Sequence, residues 1–392
     1  MRFAVRVKRL LAVHEGDGKA CRLDLSAASF LNGEGLPRDL ILNAAGEVTN
    51  DDAGVATRIH LDDVIVFPAL VNSHDHLDFS LYPTLGDPPY ADVDEWGRDV
   101  HGRYASIVST IEEVSPELRR YWGLLKNLAC GVTTLMDHSE ASNESCFEIP
   151  VRTIRPFRFV HRADTRWAWL QARRTRGDGP LVFHVGEGIS EKVRRRSARF
   201  LRRLKGRGPL IGVHGISLSA NDAQYLDALV WCPVSNFFLF DETADIASLK
   251  CTTQILFGTD ASISADGSIW DHLRAARQCG GLSDAELLDS VTTTASRAWG
   301  LDDTRDFVIA RRRHTDPWES LYQVTAADIC AVVSQGRLAL LSEEFYSDIA
   351  LDTWHDTYRA IIIGNAAQRV FCPSPAILSR LASIEFSPMS LL

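Results

Sequence analysis

Residues 64–79 read VIVFPALVNSHDHLDF, and this stretch decides the fold that we expect. The uninterrupted apolar run at 64–71 is typical of a strand buried on both faces of a parallel sheet. His74 and His76 follow it at once. Because alternate residues of a strand face the same way, we expect the two imidazoles to point at one place.

Downstream, short apolar strands alternate with helices. The predicted strands are VTTLM, LVFHV, LIGVH, LVWCPV and ILFGTD. The predicted helices are LRRYWGLLKNLAC, closed by Gly131, KVRRRSARFLRRLKG, SIWDHLRAARQCGG, and SDAELLDSVTTTASRAWG with Ser283 as its N-cap and Glu286 three residues on. The repetition from 64 to 300 spans roughly 240 residues, close to the usual size of a (β/α)₈ barrel.

The region between VTTLM and LVFHV is short for a complete barrel. One strand is clear there, around IRPFRFV, which gives a count of seven strands where a closed barrel has eight. The alternative is two very short strands, VRTIR and FRFVH, with a compressed connection. We therefore predict the α/β class, with a TIM-type barrel whose middle region is shortened.

Both ends of the chain have a different pattern, in which strands are separated by turn residues. The predicted strands are FAVRVKRLLA, ACRLDLSAASF and DLILN before the barrel, and ADICAVVSQGRL and YRAIIIGNAAQRVFC after it. We expect residues 1–63 and 312–392 to form a small composite β-sandwich, with the barrel at 64–311 between its two halves.

Composition narrows the class of partner. A formal net charge of -9 argues against a general nucleic-acid binder or an anionic-membrane binder, although it leaves a local basic pocket open. No apolar run reaches the length of a membrane span, and basic residues interrupt the N-terminal apolar segment, so neither a span nor a signal peptide is expected.

The eight cysteines form no C-x-x-C pair, which favours reduced thiols and a cytoplasmic protein. We expect a small-molecule substrate and a homo-oligomer, a dimer.

Three further polar residues stand at the ends of predicted strands. His184 lies at the end of LVFHV, His214 follows LIGV, and Asp260 follows ILFGT. In a barrel the carboxyl ends of the strands converge on one face, where active sites lie. A single histidine at a strand end is more often a packed structural residue. Five such side chains in one chain, with His74 and His76, instead predict a site for Zn²⁺ or Fe²⁺.

Taken together, the segments NSHDHLDF, HVGEG, VHG, CPVSN and GTDAS resemble the metal-site motifs of the amidohydrolase superfamily, in this order and at similar intervals. The chain is similar to the group that contains cytosine deaminase, guanine deaminase, S-adenosylhomocysteine deaminase and the chlorotriazine hydrolases. The likeness covers most of the chain and includes ACGVTTLMD. Two departures are Ala69, where a glycine is common, and a short, Arg-rich segment between Asp137 and His184.

The resemblance implies a role for each matching position. His74, His76, His184 and Asp260 match the metal ligands. Glu187 matches the proton-carrying glutamate, His214 matches the histidine that polarises the substrate or orients the hydroxide, and Asp260 would also accept a proton from the nucleophilic water. This assignment of roles also agrees with the chemistry. Hydrolysis at an amidine or amide carbon needs a hydroxide, a group that stabilises the intermediate and an acid that protonates the leaving nitrogen.

Lysine usage bears on the number of metal ions. Two-metal members of the superfamily usually bridge the ions with a carboxylated lysine on a middle strand, and no lysine stands between Lys126 and Lys192. We therefore expect one divalent metal ion, Zn²⁺ in the first place and Fe²⁺ as the alternative. A carboxylate such as Glu148 would otherwise have to bridge.

Candidates for contact with the substrate are Trp96, His101 and Asn236, the last matching the family's CP-x-SN position. Each has a structural alternative: Trp96 as a core residue and Asn236 as an amide that braces a loop. The arginines at 155, 158, 162 and 166 suit an anionic group, but a solvated face explains them more simply. The basic run at 192–207 has apolar residues at helical spacing, which predicts an outer barrel helix.

The predicted function is hydrolysis of a C–N bond by metal-activated water, most simply deamination of a small purine, pyrimidine or triazine-like heterocycle. The first alternative is ring opening of a cyclic amide, as in imidazolonepropionase-like proteins, at a nearly identical site. The alternative from another class is a non-catalytic barrel used as a binding protein. The presence of Glu187, His214 and Asp260 counts against that alternative.

Overall fold

The structure, a computed structural model, describes residues 11–14, 20–52, 55–138, 148–301, 305–349, 351–372, 375–385 and 389–391. The strand predicted at 3–12 therefore lies mostly outside the described residues, as does Cys146. The other seven cysteines are free thiols, as predicted. No helix in these ranges is both long and apolar enough to traverse a lipid bilayer.

The strands, in chain order, are β1 Leu11–His14, β2 Ala20–Asp24, β3 Ser29–Phe30, β4 Asp39–Leu42, β5 Val48–Thr49, β6 Val55–His60, β7 Val64–Pro68, β8 Leu70–Asp75, β9 Val132–Asp137, β10 Arg152–Thr153, β11 Arg158–Arg162, β12 Leu181–Val185, β13 Leu210–His214, β14 Ala228–Trp231, β15 Gln254–Phe257, β16 Phe307–Arg311, β17 Ile329–Ser334, β18 Arg337–Ser342, β19 Tyr358–Ile363, β20 Ala366–Phe371 and β21 Met389–Leu391.

The helices are α1 Val93–Arg103, α2 Ala105–Glu112, α3 Pro116–Ala129, α4 Ala168–Arg174, α5 Glu191–Leu204, α6 Ala220–Ala223, α7 Pro233–Phe240, α8 Ile246–Leu249, α9 Ile269–Cys279, α10 Asp284–Ser290, α11 Thr293–Trp299, α12 Pro317–Tyr322, α13 Glu343–Ile349 and α14 Ala376–Ala382. Short 3₁₀ turns occupy Leu77–Phe79, Ala326–Asp328 and Asp352–Asp356.

Eight parallel strands, β8 to β15, carry the expected barrel pattern. They form two sheets, with orders β10-β9-β8 and β11-β12-β13-β14-β15. A bridge between Asp75 and Asp260 joins the edge of β8 to the segment after β15. No ladder joins β10 to β11 in the ranges that the structure covers. The parallel α/β prediction is therefore confirmed, and the strands form two parallel sheets linked at one seam.

The alternative of two short strands in the middle region is correct. VRTIR contains β10, which pairs with β9, and FRFVH contains most of β11, which pairs with β12. β10 has only two residues, and a strand of that length shows no periodicity in sequence. The count of seven strands was therefore one too low.

The predicted strand at 64–71 is divided at Ala69. β7 pairs antiparallel with β16, whereas β8 pairs parallel with β9. The switch is visible in the backbone, because Ala69 N–H donates to Asp306 O and Leu70 N–H donates to Gly131 O. Pro68, just before the switch, has no N–H to give to either ladder.

The helix boundaries follow the predicted capping signals. Ser115 caps α3, which begins with Pro116 and ends before Gly131, whose φ is +87°. Ser283 and Glu286 form the predicted capping box. The single helix predicted at 283–300 is divided into α10 and α11, and the Thr292 hydroxyl bonds to Leu288 O at the break.

The terminal segments form two further sheets, with orders β1-β6-β2-β4-β5 and β21-β19-β20-β18-β17-β16-β7-β3. One buried hydrophobic cluster draws side chains from both sheets, among them Leu23, Ile59, Phe307 and Val333. The larger cluster extends from the parallel strands and their helices to the second terminal sheet, and it includes Phe67 of β7, Phe183 and Trp270. The composite β-sandwich stays a prediction.

Candidate metal centre

His74 and His76 are placed by β8, all six residues of which are buried. His74 is the fifth residue of the strand and His76 follows its end. Both side chains approach one carboxylate oxygen: His74 Nε2 lies 3.2 Å and His76 Nε2 lies 3.6 Å from Asp260 Oδ1. The His-x-His pair thus converges on a single point, as the alternation along a strand requires.

Asp260 reaches that point because the chain after β15 runs close to β8. The backbone N–H groups of Thr259 and Asp260 both donate to His74 O, at 3.0 Å each. Gly258 makes this approach possible, since a Cβ there would lie 2.6 Å from His74 Cβ and 2.9 Å from His74 N. Asn72 adds a second link, because it accepts from Thr259 N–H and donates to the Thr259 hydroxyl.

His184, in β12, completes the group. Its Nε2 lies 3.3 Å from His74 Nε2. Its Nδ1 lies 2.7 Å from the carbonyl oxygen of His161, so Nδ1 carries the proton and donates it. This fixes the tautomer in which the Nε2 lone pair faces His74, the arrangement expected of a histidine ligand held by a carbonyl.

The four residues fit a divalent metal. Ligand atoms of His74, His76 and His184 lie within 4.8 Å of one another, and so do those of His74, His214 and Asp260. In the metal-free protein, burial lowers the pKa of His74 to about 4 and lowers the pKa of His184 well below its ordinary value. Burial alone would raise the pKa of Asp260, but its hydrogen bond with His74 and the nearby histidine charges bring it well below the ordinary value. Neutral imidazoles and an ionised carboxylate are the states that bind metal.

Glu187 and His214 lie beside this group. His214 Nε2 is 3.5 Å from Glu187 Oε1 and 3.9 Å from Asp260 Oδ2. Burial raises the pKa of Glu187 to about 7, although the charge of His214 opposes the shift. A carboxyl group with such a pKa both gives and takes a proton near neutral pH.

Two of these residues have strained backbones. His214 has φ +76° and Asp260 has φ +62°, the left-handed region that non-glycine residues seldom adopt. In both cases the residue stands at the carboxyl end of a parallel strand. Such outliers persist where surrounding contacts hold them, and they cluster at functional sites.

Asn236, predicted as a substrate contact, lies in α7 and is completely buried. Its Oδ1 accepts a hydrogen bond from His214 Nδ1, at 2.9 Å. Its Nδ2 donates to the Thr243 hydroxyl, which also accepts from Trp231 Nε1. The structure therefore brings Asn236 to the site through His214.

The other two predicted substrate contacts have local partners or face solvent, and their role stays a prediction. Trp96, in α1, donates from Nε1 to Leu85 O and packs against the buried core. His101 is exposed in the last turn of α1. Of the four arginines considered, Arg162 pairs with Asp94 and Asp164, and its charge acts on Glu187.

Two histidines at the site, His138 and His161, were not among the residues predicted from the sequence. His138 directly follows β9, and His161 lies in β11; with His184 they form a further group whose ligand atoms lie within 4.8 Å. The His138 ring stacks on that of His184 at 4.2 Å, and neither of its nitrogens finds a hydrogen-bond partner among the described residues. The strand-end position that identified His184 also applies to His138 and would have found it.

A cavity of about 640 Å³ adjoins Asp260. It lies between α2, α3 and the segment after β15, and its lining is mainly apolar. Lys126 reaches into it and donates to the Ser262 hydroxyl. Among the described residues that line the cavity, Asp260 is the one that belongs to the set His74, His76, His184 and Asp260. The cavity therefore adjoins this set at Asp260.

Comparison with solved structures shows the fold. A variant of atrazine chlorohydrolase from Arthrobacter aurescens, complexed with zinc and atraton, is 15% identical, with a TM-score of 0.57, and the alignment covers 81% of this chain and 95% of that one. An adenosine deaminase from Xanthomonas campestris with bound zinc is 16% identical, with a TM-score of 0.55 and coverages of 86% and 95%. Helicobacter pylori aminofutalosine deaminase, in complex with methylthio-coformycin, is 12% identical, with a TM-score of 0.54 and coverages of 82% and 99%.

No protein-family model matches the chain, and no curated protein sequence does. At 12–16% identity the structural likeness establishes a shared fold. The motif resemblance described above and this likeness of fold point to the same group of solved structures.

Proposed function

We propose that the chain is a metal-dependent amidohydrolase that deaminates a small nitrogen heterocycle, with its site in the predicted barrel at residues 64–311. The observation that carries this proposal is the convergence of His74 Nε2 and His76 Nε2 on one oxygen of Asp260, with His184 Nε2 against His74. Three imidazoles and a carboxylate suit one Zn²⁺ ion, with Fe²⁺ as the alternative.

A divalent ion held by these four residues would supply a nucleophile at neutral pH, because it would lower the pKa of a bound water. The chain's own groups then have separate tasks. Asp260, ionised in the metal-free protein, has a second oxygen, Oδ2, directed towards His214 at 3.9 Å. That oxygen is placed to accept a proton released at the reacting centre.

Glu187 is the proposed proton carrier. Its raised pKa, about 7, allows it to hold a proton when substrate arrives and to deliver it to the leaving nitrogen. His214 Nε2 faces the Glu187 carboxylate at 3.5 Å, and its Nδ1 is engaged by Asn236. We assign to His214 the stabilisation of charge that develops on the substrate as the water attacks.

The substrate class draws support from the solved neighbours. They are an atrazine chlorohydrolase, an adenosine deaminase and an aminofutalosine deaminase, the first bound to atraton and the last to methylthio-coformycin. Each of the three names points to chemistry on a nitrogen heterocycle. We therefore propose a nitrogen heterocycle as the substrate class of this chain. We also propose a dimeric assembly, and a cytoplasmic location expected from composition.

The test is ammonia release over a panel of nucleobases, nucleosides and aminotriazines, using protein loaded with Zn²⁺ or Fe²⁺ and its chelated counterpart. We expect turnover of at least one amino-substituted heterocycle by the loaded protein alone. Ring opening without ammonia, detected by loss of ring absorbance, would support the cyclic-amide alternative instead. A loaded protein that binds heterocycles and turns none of them over would support a binding function.

A further inference from the structure

Positive charge is concentrated in one segment of the chain. Residues 152–207 contain 17 of the 42 Lys and Arg side chains but only four of the 51 Asp and Glu side chains. This segment therefore carries a formal charge of +13, in a chain whose net charge is -9. The overall charge, which argued against nucleic acid as a partner, conceals a local surface of the opposite sign.

Helix α5 presents much of this charge. Its inner face buries Val193, Phe200 and Leu201 against the sheet. Its outer face carries exposed arginines at 194, 195, 196, 199, 202 and 203. A helix of this length extends about 21 Å, so the arginines form a row along one side of the protein.

Few of these arginines are neutralised. Glu191 pairs with Arg194 and Arg195, at the start of the helix. Arg199, Arg202 and Arg203 have no acidic partner within the part of the chain that the structure describes. Arg199 lies one helical turn from the adjacent Arg202 and Arg203, and the three guanidinium groups carry the charge that attracts the phosphates of a nucleic-acid strand.

The row continues onto the end of the barrel opposite the metal-binding residues. A mostly polar cavity of about 440 Å³ lies at the start of β11 and β12, beside residues 205–207, and its cationic lining residues are Arg158, Arg173, Lys205 and Arg207. The metal-binding residues lie at the carboxyl ends of strands, so the row and the cavity lead away from them.

Two tryptophans border the same surface. Trp167, just before α4, is 57% exposed, with Arg166 over its ring. Trp169 lies between Arg173 and Arg203, whose guanidinium carbons are 5.8 and 5.0 Å from its ring centroid. Trp169 is half-buried against the core, so Trp167 is the exposed indole of the two, and an exposed indole beside arginines is a stacking platform for an unpaired base.

We propose that the surface formed by α4, the outer face of α5 and the loop at 205–208, here called the basic surface, binds single-stranded nucleic acid. The arginine row contacts successive phosphates, and Trp167 stacks on a base. Arginine outnumbers lysine by 15 to two in this segment, as suits bidentate phosphate contacts. A single strand fits better than a duplex, whose paired bases offer Trp167 no exposed ring face.

The test is fluorescence anisotropy of a labelled 20-nucleotide oligouridylate with the full chain, at 50 and 200 mM salt. We expect saturable binding that weakens as salt rises. The variant Arg199→Gln/Arg202→Gln/Arg203→Gln should bind at least tenfold more weakly, and the slope of log K against log salt should fall by about 2, given about 0.7 per phosphate contact on a single strand. The matched control removes the same charge at exposed arginines elsewhere, as Arg98→Gln/Arg297→Gln/Arg380→Gln, and should bind as wild type.

A second variant tests stacking. Trp167→Ala should weaken binding of the single strand at least about fivefold while leaving binding of heparin, which has no bases, unchanged. The proposal is overturned by no binding at 50 mM salt, by an equal loss in the control variant, or by a Trp167→Ala variant that loses both ligands equally. It is also overturned if phosphatidylserine vesicles bind more tightly than the single strand, or if the triple variant changes the sedimentation of the protein, since a second copy would then occupy the surface.

Discussion

His214 Nδ1 and Asn236 Oδ1 lie 2.9 Å apart, and this hydrogen bond links the end of β13 to the first turns of α7. It assigns a proton of His214 to Nδ1 and directs Nε2 at Glu187 and Asp260. A buried amide thus determines which ring nitrogen of His214 faces the two carboxylates.

Asn236→Ala should therefore lower kcat about 10- to 100-fold, the usual effect of losing a partner that orients a functional histidine. KM and metal content should stay near wild type. Asn236→Asp, which keeps an acceptor for Nδ1, should retain more of the activity. Equal losses in the two variants would contradict the positioning role.

Glu187→Gln should keep the fold and the metal but lower kcat by about 10²- to 10⁴-fold, because the amide carries no transferable proton. Steady-state kinetics and metal analysis of the same preparation separate the two properties. The matched control is Glu191→Gln, four residues on and exposed at the start of α5, which should turn over as wild type. Unchanged turnover in Glu187→Gln would refute the assignment.

Stability of the metal-free protein should depend on pH through its buried histidines. Burial lowers the pKa of His74 from 6.5 to about 4. Between those values the unfolded chain binds a proton that the folded chain does not, so the free energy of unfolding falls as the pH falls through this window. The loss is up to about 1.4 kcal/mol per pH unit for each such histidine.

The titration of Glu187 changes the free energy of unfolding in the opposite direction. Its raised pKa, about 7, means that the folded chain takes up the proton first, so this group adds stability as the pH falls from 7 towards 4.5. Urea unfolding of metal-free Glu187→Gln should therefore show a steeper loss of stability than wild type between pH 7 and 4.5. Parallel curves for the two proteins would contradict the raised pKa.

The fold was largely predictable because it rests on repeated patterns. Five of the parallel strands after β8 contain apolar runs that could be recognised, and Ser115, Gly131 and Ser283 mark helix ends as expected. The division at Ala69 could not be predicted, because the two halves of one apolar run pair with different sheets and no local signal distinguishes the partners. The two-residue strand β10 is too short to leave a pattern.

The convergence of His74, His76, His184 and Asp260 was predictable from strand ends, but the groups that orient these side chains were not. Asn236 was interpreted as a substrate contact, since a sequence shows that an amide is present without showing which ring nitrogen it engages. The carbonyl of His161 that fixes the His184 tautomer leaves no trace in sequence, because every residue has a carbonyl.

A buried ion pair between Arg120 and Asp137 holds the backbone next to His76. Arg120 Nη2 lies 2.6 Å from Asp137 Oδ2, both side chains are buried, and Asp137 Oδ1 accepts from Leu77 N–H just after the His-x-His pair. Arg120→Ala leaves the carboxylate buried without its guanidinium and should lower the free energy of unfolding by about 3–5 kcal/mol. Denaturant unfolding of the loaded protein measures this, and Arg119→Ala on the same helix should cost far less. Equal costs would contradict the structural role.

The most direct test of the metal centre is X-ray absorption spectroscopy of the zinc-loaded protein. If His74, His76, His184 and Asp260 hold the zinc, the spectrum should show a shell of nitrogen and oxygen ligands at about 2.0–2.1 Å. It should also show the outer-shell scattering of three imidazoles and no sulfur. His184→Ala should lose one imidazole from that pattern, whereas Asn236→Ala should keep all three. A shell that contains sulfur, or one that His184→Ala leaves unchanged, would show that the metal lies elsewhere.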